Sequence, residues 1–228
     1  MLKVMRLPIW KTRTRILTCL AFLLVAGVFQ REHSFVSTTH PTLAIESRDE
    51  FRSGDIIFRR GVSAESYAVR SLDGQFAYSH VGIIQRNGSD IEVIHASYGE
   101  EGPPEDGVMI EPIEAFLKPA SASAAAVLRI NAADQQVSLA ALEEAERFFR
   151  DKTPFDNEFD LGSPDKLYCT ELVWSAYKRA GIDLVDSKFD NLPLLIGGMN
   201  RPYLLPSSLF RSRHLRVVWT SEESEKKK

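Results

Sequence analysis

At 228 residues, with 44% hydrophobic and 26% charged residues and only 13 Gly and 11 Pro, the chain has the composition of one well-filled globular domain with a terminal appendage, which excludes fibrous and disordered classes. A formal net charge of −3, with no basic helix or aromatic–basic platform, argues against a nucleic-acid partner. The two cysteines, Cys19 and Cys169, have none of the spacings of a zinc framework, so no metal and no cofactor is expected; with Cys19 in an N-terminal apolar run, Cys169 has no obvious disulfide partner.

Lys3, Arg6, Lys11, Arg13 and Arg15 precede an apolar run from Ile16 to Phe29, which is the form of an export signal. The run is shorter than the about 20 residues of a spanning helix, and Val25-Ala26-Gly27 offers small residues without a clean Ala-x-Ala site. Residues 1–30 therefore read as a signal peptide or an N-terminal membrane anchor, with the remainder outside the cytoplasm, periplasmic or extracytoplasmic. If uncleaved, this segment makes the membrane a partner. Cys19 stands near the beginning of the run, where a lipoprotein cysteine would end it. Residues 31–48 lack periodicity and form a linker, residues 49–220 the folded domain, and residues 221–228 a charged, disordered tail.

The domain opens on a turn at Gly54-Asp55 and a strand over Ile56-Ile57-Phe58, and residues 61–74 fit either a short helix or a loop. Two β-type runs flank Asn87-Gly88, a strong hairpin signal. A two-residue Asn87-Gly88 turn pairs His80 with His95, whereas a four-residue loop pairs Gly82 with His95 and leaves the histidines diagonal neighbours about 7 Å apart. Both registers put the two imidazoles on one face; a three-residue loop would separate them. Residues 98–106 read as an exposed loop able to gate or read a substrate. Strands follow at 107–110 and 124–130, with a helical turn over 112–117 between them. Ser138 caps a helix over 139–151 with Leu139, Leu142, Ala145 and Phe149 inward. Ser163-Pro164-Asp165 has the form of a helix start, leading into an amphipathic helix over residues 167–180, and Leu215 to Trp219 is a closing strand.

On that amphipathic helix, Cys169, Leu172, Val173, Ala176 and Ala180 share one stripe, and Glu171, Ser175 and Lys178 lie opposite. An inward thiol is by default a small core residue. It becomes a nucleophile when an imidazole and a helix N-terminus favour its thiolate. His80 can supply the base and His95 the group that holds the base's tautomer. The dipole helps if the helix starts at Lys166 or later, and has largely faded at Cys169 if it starts at Ser163-Pro164. The catalytic alternative requires the stripe carrying Cys169 to face the strand carrying His80.

Gly54-Asp55-Ile56-Ile57-Phe58, Ser79-His80-Val81-Gly82-Ile83, Ile94-His95-Ala96 and Tyr168-Cys169-Thr170-Glu171-Leu172-Val173 resemble the motifs of the NlpC-type papain-fold amidases. Their order, histidine strands before cysteine helix, resembles the circularly permuted, YiiX-like branch. The resemblance spans about residues 50–219. It implies an α+β, papain-like fold: an antiparallel sheet or half-barrel packed on the helix that carries Cys169, with Cys169 as nucleophile, His80 as base and His95 as third group. Many permuted relatives carry Glu at that third position, and Tyr-Asp where this chain has Phe155-Asp156, which removes one hydroxyl from the oxyanion site. Tyr78, Tyr98, Asp156 and Tyr168 flank the motifs and are candidate substrate contacts.

Three functions fit these residues. The first is a thiol amidase or peptidase that cleaves an amide, with cell-wall peptide as a substrate, through a thioester. The second is a lipid acyl hydrolase or acyltransferase with the same triad, as in permuted relatives of the lecithin:retinol acyltransferase type. The third is a binding protein that keeps the fold without turnover.

Overall fold

Residues 48–98, 106–131, 135–191 and 201–221 are described from a computed structural model. Residues 1–30, most of the linker, most of the 98–106 loop and the charged tail beyond Ser221 lie outside this set. No helix among the described residues is long and apolar enough to cross a membrane.

Six antiparallel strands form the main sheet: β1 (Ile56–Gly61), β2 (His80–Asn87), β3 (Asp90–Ser97), β4 (Gly107–Pro112), β5 (Ala122–Ile130) and β8 (Leu215–Thr220), in the order β4-β3-β2-β1-β5-β8. A separate two-stranded pair joins β6 (Asp190–Asn191) to β7 (Pro202–Tyr203). The helices are α1 (Ala64–Leu72), α2 (Ile113–Phe116), α3 (Gln135–Arg150), α4 (Cys169–Arg179) and α5 (Pro206–Phe210). Helices beside a wholly antiparallel main sheet are the expected α+β class.

Runs such as Ile56-Ile57-Phe58 and Ile83-Ile84 are continuously apolar because both faces of the sheet are covered. On one face Phe58, Val81, Ile83, Ile94 and Leu128 pack with Leu142 and Phe148 of α3 and Leu172, Val173 and Ala176 of α4. On the other, Ile57, Ile84, Val93 and Val127 pack with Phe51, Ile113, Phe116 and Trp219.

In the hairpin Asn87 pairs Asp90 and Ile83 pairs Ile94, so Gly88 (φ +65°) and Ser89 form the turn and Gly82 falls opposite His95. This is the diagonal register of the two weighed. Residues 61–74, open between helix and loop, contain α1, whose first turn is held by Ser63 Oγ accepting the Ser66 N–H at 3.2 Å.

Two helices differ from their sequence reading. α3 begins at Gln135, so Ser138 is not its cap, and the buried stripe is Ser138, Ala141, Leu142, Ala145 and Phe148, while Leu139 and Phe149 are 42% and 40% exposed. The rotation brings small residues to the contact: Gly54 lies so close that a Cβ there would sit 2.5 Å from Ser138 O. α4 begins at Cys169, and Ser163-Pro164-Asp165 starts nothing. Residues before it are held extended, because Leu167 N–H donates to Pro154 O (3.0 Å) and Asp156 N–H donates to Leu167 O (3.1 Å).

Candidate active site

The late start of α4 decides where its dipole acts. Tyr168 is an extended cap (φ −99°, ψ 173°), so Cys169 is the first helical residue. The first N–H groups of a helix have no intrahelical partner, and those of Cys169 and Thr170 point at the thiol, joined by the Val81 N–H from β2. Burial nevertheless dominates, pushing the Cys169 thiol up to about 11 against the pull of these N–H groups and of Arg59.

Val81 and Ile83 belong to the helix-facing core, so the helix carrying Cys169 does pack against the strand carrying His80. Alternation puts the His80 side chain on the other face with Ile84, its ring 5.7 Å from that of Phe116. His80 and Cys169 are each the first residue of their element. Cys169 lies by the start of β2, where the Val81 N–H reaches its thiol, and Cys169 and His80 both line one cavity of about 280 Å³.

Behind His80 the diagonal register brings His80 Nε2 to 2.9 Å from His95 Nδ1, the rings perpendicular. No side chain fits between them: a Cβ on Gly82 would lie 3.0 Å from that of His95. His95 is 1% exposed and packs edge-on against Phe116. Burial lowers both imidazoles, His80 well below its ordinary value, and Arg59 lowers them further.

Two neighbours of this pair carry no signal in the motifs. Glu111 Oε1 lies 3.0 Å from His95 Nε2, off the line of its N–H. Arg59, paired with His80 across β1 and β2, donates to Phe116 O at 2.9 Å, stacks 4.5 Å over the Phe116 ring and approaches Glu111 to 3.9 Å. Burial works against an ionised Glu111, but the close approach of His95 and the nearby Arg59 and Lys118 hold its carboxyl below the usual range. Strand parity is the signal that reaches Glu111, since Val93 pairs Glu111 and His95 pairs Met109.

Of the four candidate substrate contacts, only Tyr98 lines the cavity, 53% exposed and beside Phe155. Tyr78 is 5% exposed and stacked on Phe210. Asp156 is fully buried and accepts the N–H groups of Glu158 and Asp160, so it organises a turn. Tyr168 is 4% exposed, its hydroxyl accepting the Leu204 N–H at 2.9 Å. Phe155, Phe159 and Asn157 line the cavity instead. Among the described residues, no group of three or more His, Cys, Asp or Glu side chains converges as metal ligands would.

Residues 50–219 match the model of the permuted papain-like amidase enzyme family, YaeF/YiiX, C92. Among solved structures, that of metalloprotein yiiX from Escherichia coli O157:H7 aligns with a TM-score of 0.60 at 23% identity, over 74% of this chain and 96% of that one. This likeness concerns the fold. No curated protein matches. The family model spans the paired histidines and the cysteine helix in their permuted order, and the chain therefore belongs to the permuted papain-like amidases, a family of cysteine-type hydrolases.

Proposed function

We propose that the protein works outside the cytoplasm, cleaving an amide bond, with cell-wall peptide as its first candidate substrate, through Cys169, His80 and His95. The observation that carries this is the shared cavity: Cys169 and His80 both line it, and His80 Nε2 is already engaged by His95. Nδ1 is therefore the nitrogen left to take the thiol proton.

With the thiol pushed up and the imidazole pushed down, the resting pair is neutral, so His80 acts as a general base during attack. As the thiol proton passes to His80 Nδ1, sulfur bonds to the carbonyl carbon and the carbonyl oxygen takes the negative charge. The Cys169 N–H, unpaired within the helix, is placed to receive that charge, and Asn157 brings an amide donor to the same cavity. Collapse breaks the C–N bond and returns the proton to the amine. His80 then deprotonates water, which cleaves the thioester to acid and thiol.

A second reading is favoured by the aromatic wall of Tyr98, Phe155 and Phe159, which would suit a lipid acyl chain. Intact-mass measurement after mixing with peptide amides or with long-chain acyl esters separates the two. The expected result is an acyl adduct on Cys169 from the peptide series, absent in Cys169→Ala and in His80→Ala. An adduct from the ester series alone would make the lipid reading correct. No thiol-dependent adduct or turnover with either would leave a binding protein that retains the fold.

A further inference from the structure

Two neutral imidazoles in contact have no intrinsic direction. In one arrangement His80 Nε2–H donates to His95 Nδ1, leaving a lone pair on His80 Nδ1. In the other, His95 Nδ1–H donates to His80 Nε2, the His80 proton moves to Nδ1, and the ring can no longer accept a proton from a thiol there. The 2.9 Å contact between the rings is compatible with both.

We infer that Glu111 is the positioning residue that fixes this direction, as the terminal acceptor of a relay running from Cys169 through His80 and His95. The inference deepens the hydrolase reading and rests on it for its catalytic consequence.

The relay follows from the sheet. Gly82 lies opposite His95 and Val93 opposite Glu111, so His80, His95 and Glu111 occupy one diagonal across three neighbouring strands, on one face. His95 Nε2 is buried, and the Glu111 oxygen at 3.0 Å is the acceptor beside it; a small turn of the carboxylate brings it onto the N–H axis. A carboxylate accepts and cannot donate. With Glu111 ionised, His95 must carry its proton on Nε2, its Nδ1 must accept, His80 must carry its proton on Nε2, and His80 Nδ1 is left with a lone pair. Arg59 at 3.9 Å, together with His95 Nε2 at 3.0 Å, favours the ionised carboxylate. A carboxylate behind a metal-bound histidine fixes that ring's tautomer in the same way, and its loss there costs about 10- to 100-fold.

The test is a ¹⁵N-histidine long-range correlation spectrum of the full-length protein, which separates Nδ1–H from Nε2–H tautomers. Signals are assigned with His80→Gln and His95→Gln. Both rings are expected as the Nε2–H tautomer in the wild type. Glu111→Gln, whose amide can present either an acceptor or a donor, is expected to give mixed tautomers and to lower kcat/KM by about tenfold or more. His95 protonated on Nδ1 in the wild type, or tautomers unmoved by Glu111→Gln, would overturn the inference. The wild-type spectrum decides even if the variant does not fold. A wild type that hydrolyses neither amides nor esters, while its tautomers respond to Glu111→Gln, sinks the hydrolase reading and leaves the relay. Turnover with unmoved tautomers does the reverse.

Discussion

Each residue of the site is placed by a neighbour's backbone as much as by its own chemistry. Cys169 has two N–H groups aimed at it because α4 starts there and a third from Val81 of β2, yet burial keeps the thiol protonated. That balance makes a pH prediction. A general base must be unprotonated to act, and burial lowers the pKa of His80 below its ordinary 6.5. The acid limb of kcat/KM should therefore lie below pH 6.5, with no loss of rate between pH 6.5 and 8. Replacing the nearby cation, Arg59→Gln, removes a positive charge that disfavours the imidazolium and should move that limb toward higher pH. A limb near 8.5, where a free thiol titrates, would mean that thiolate formation, not imidazole basicity, controls the rate. Iodoacetamide labelling of Cys169 across the same pH range checks this independently.

At the scale of elements, the β2–β3 hairpin was open to reading because its turn is short and parity allows few registers. Glu111 was not, since residues 98–106 separate β3 from β4 and no turn motif in the sequence sets the offset between them. Arg59 was hidden likewise: α1 intervenes between β1 and β2. Glu171 shows where periodicity itself misleads. Placed outward by the helical wheel, it is 3% exposed, because at the third position of α4 its carboxylate turns back to accept the Tyr168 N–H. Tyr78, Asp156 and Tyr168 lie close to the motifs in sequence yet serve packing and turns. The hairpin carries its own prediction. At Gly82 a Cβ would lie 2.5 Å from Val93 Cγ1 and 2.8 Å from Ile94 O. Gly82→Ala should thus cost about 1–3 kcal/mol by thermal unfolding. It should also lower kcat/KM by prying His80 from His95, whereas Gly88→Asn, in the exposed turn where left-handed φ suits Asn, should leave both nearly unchanged.

For the whole molecule, buried ionisable groups make stability depend on pH in opposing directions. The histidines titrate lower when folded, so the unfolded chain binds more protons below pH 6.5 and stability rises with pH up to that point. Glu171 has the opposite sign. Burial, with Asp156 and Asp160 nearby, raises it from 4.5 to about 8 against the Tyr168 N–H, and its Oε2 has no hydrogen-bond partner among the described residues. The folded state then binds the extra proton between pH 4.5 and about 8. Its contribution is complete below 4.5 and is lost as pH rises toward 8. The histidine contribution levels off within about one unit above pH 6.5, so Glu171 sets the trend between about pH 7 and 8, where the melting temperature should fall, by less than about 1.4 kcal/mol in equivalent stability. Glu171→Gln cannot ionise and should remove that fall, making the variant more stable than wild type at pH 8. A variant that melts in parallel with wild type across this window would mean that Glu171 is already ionised in the fold, its second oxygen reached by water.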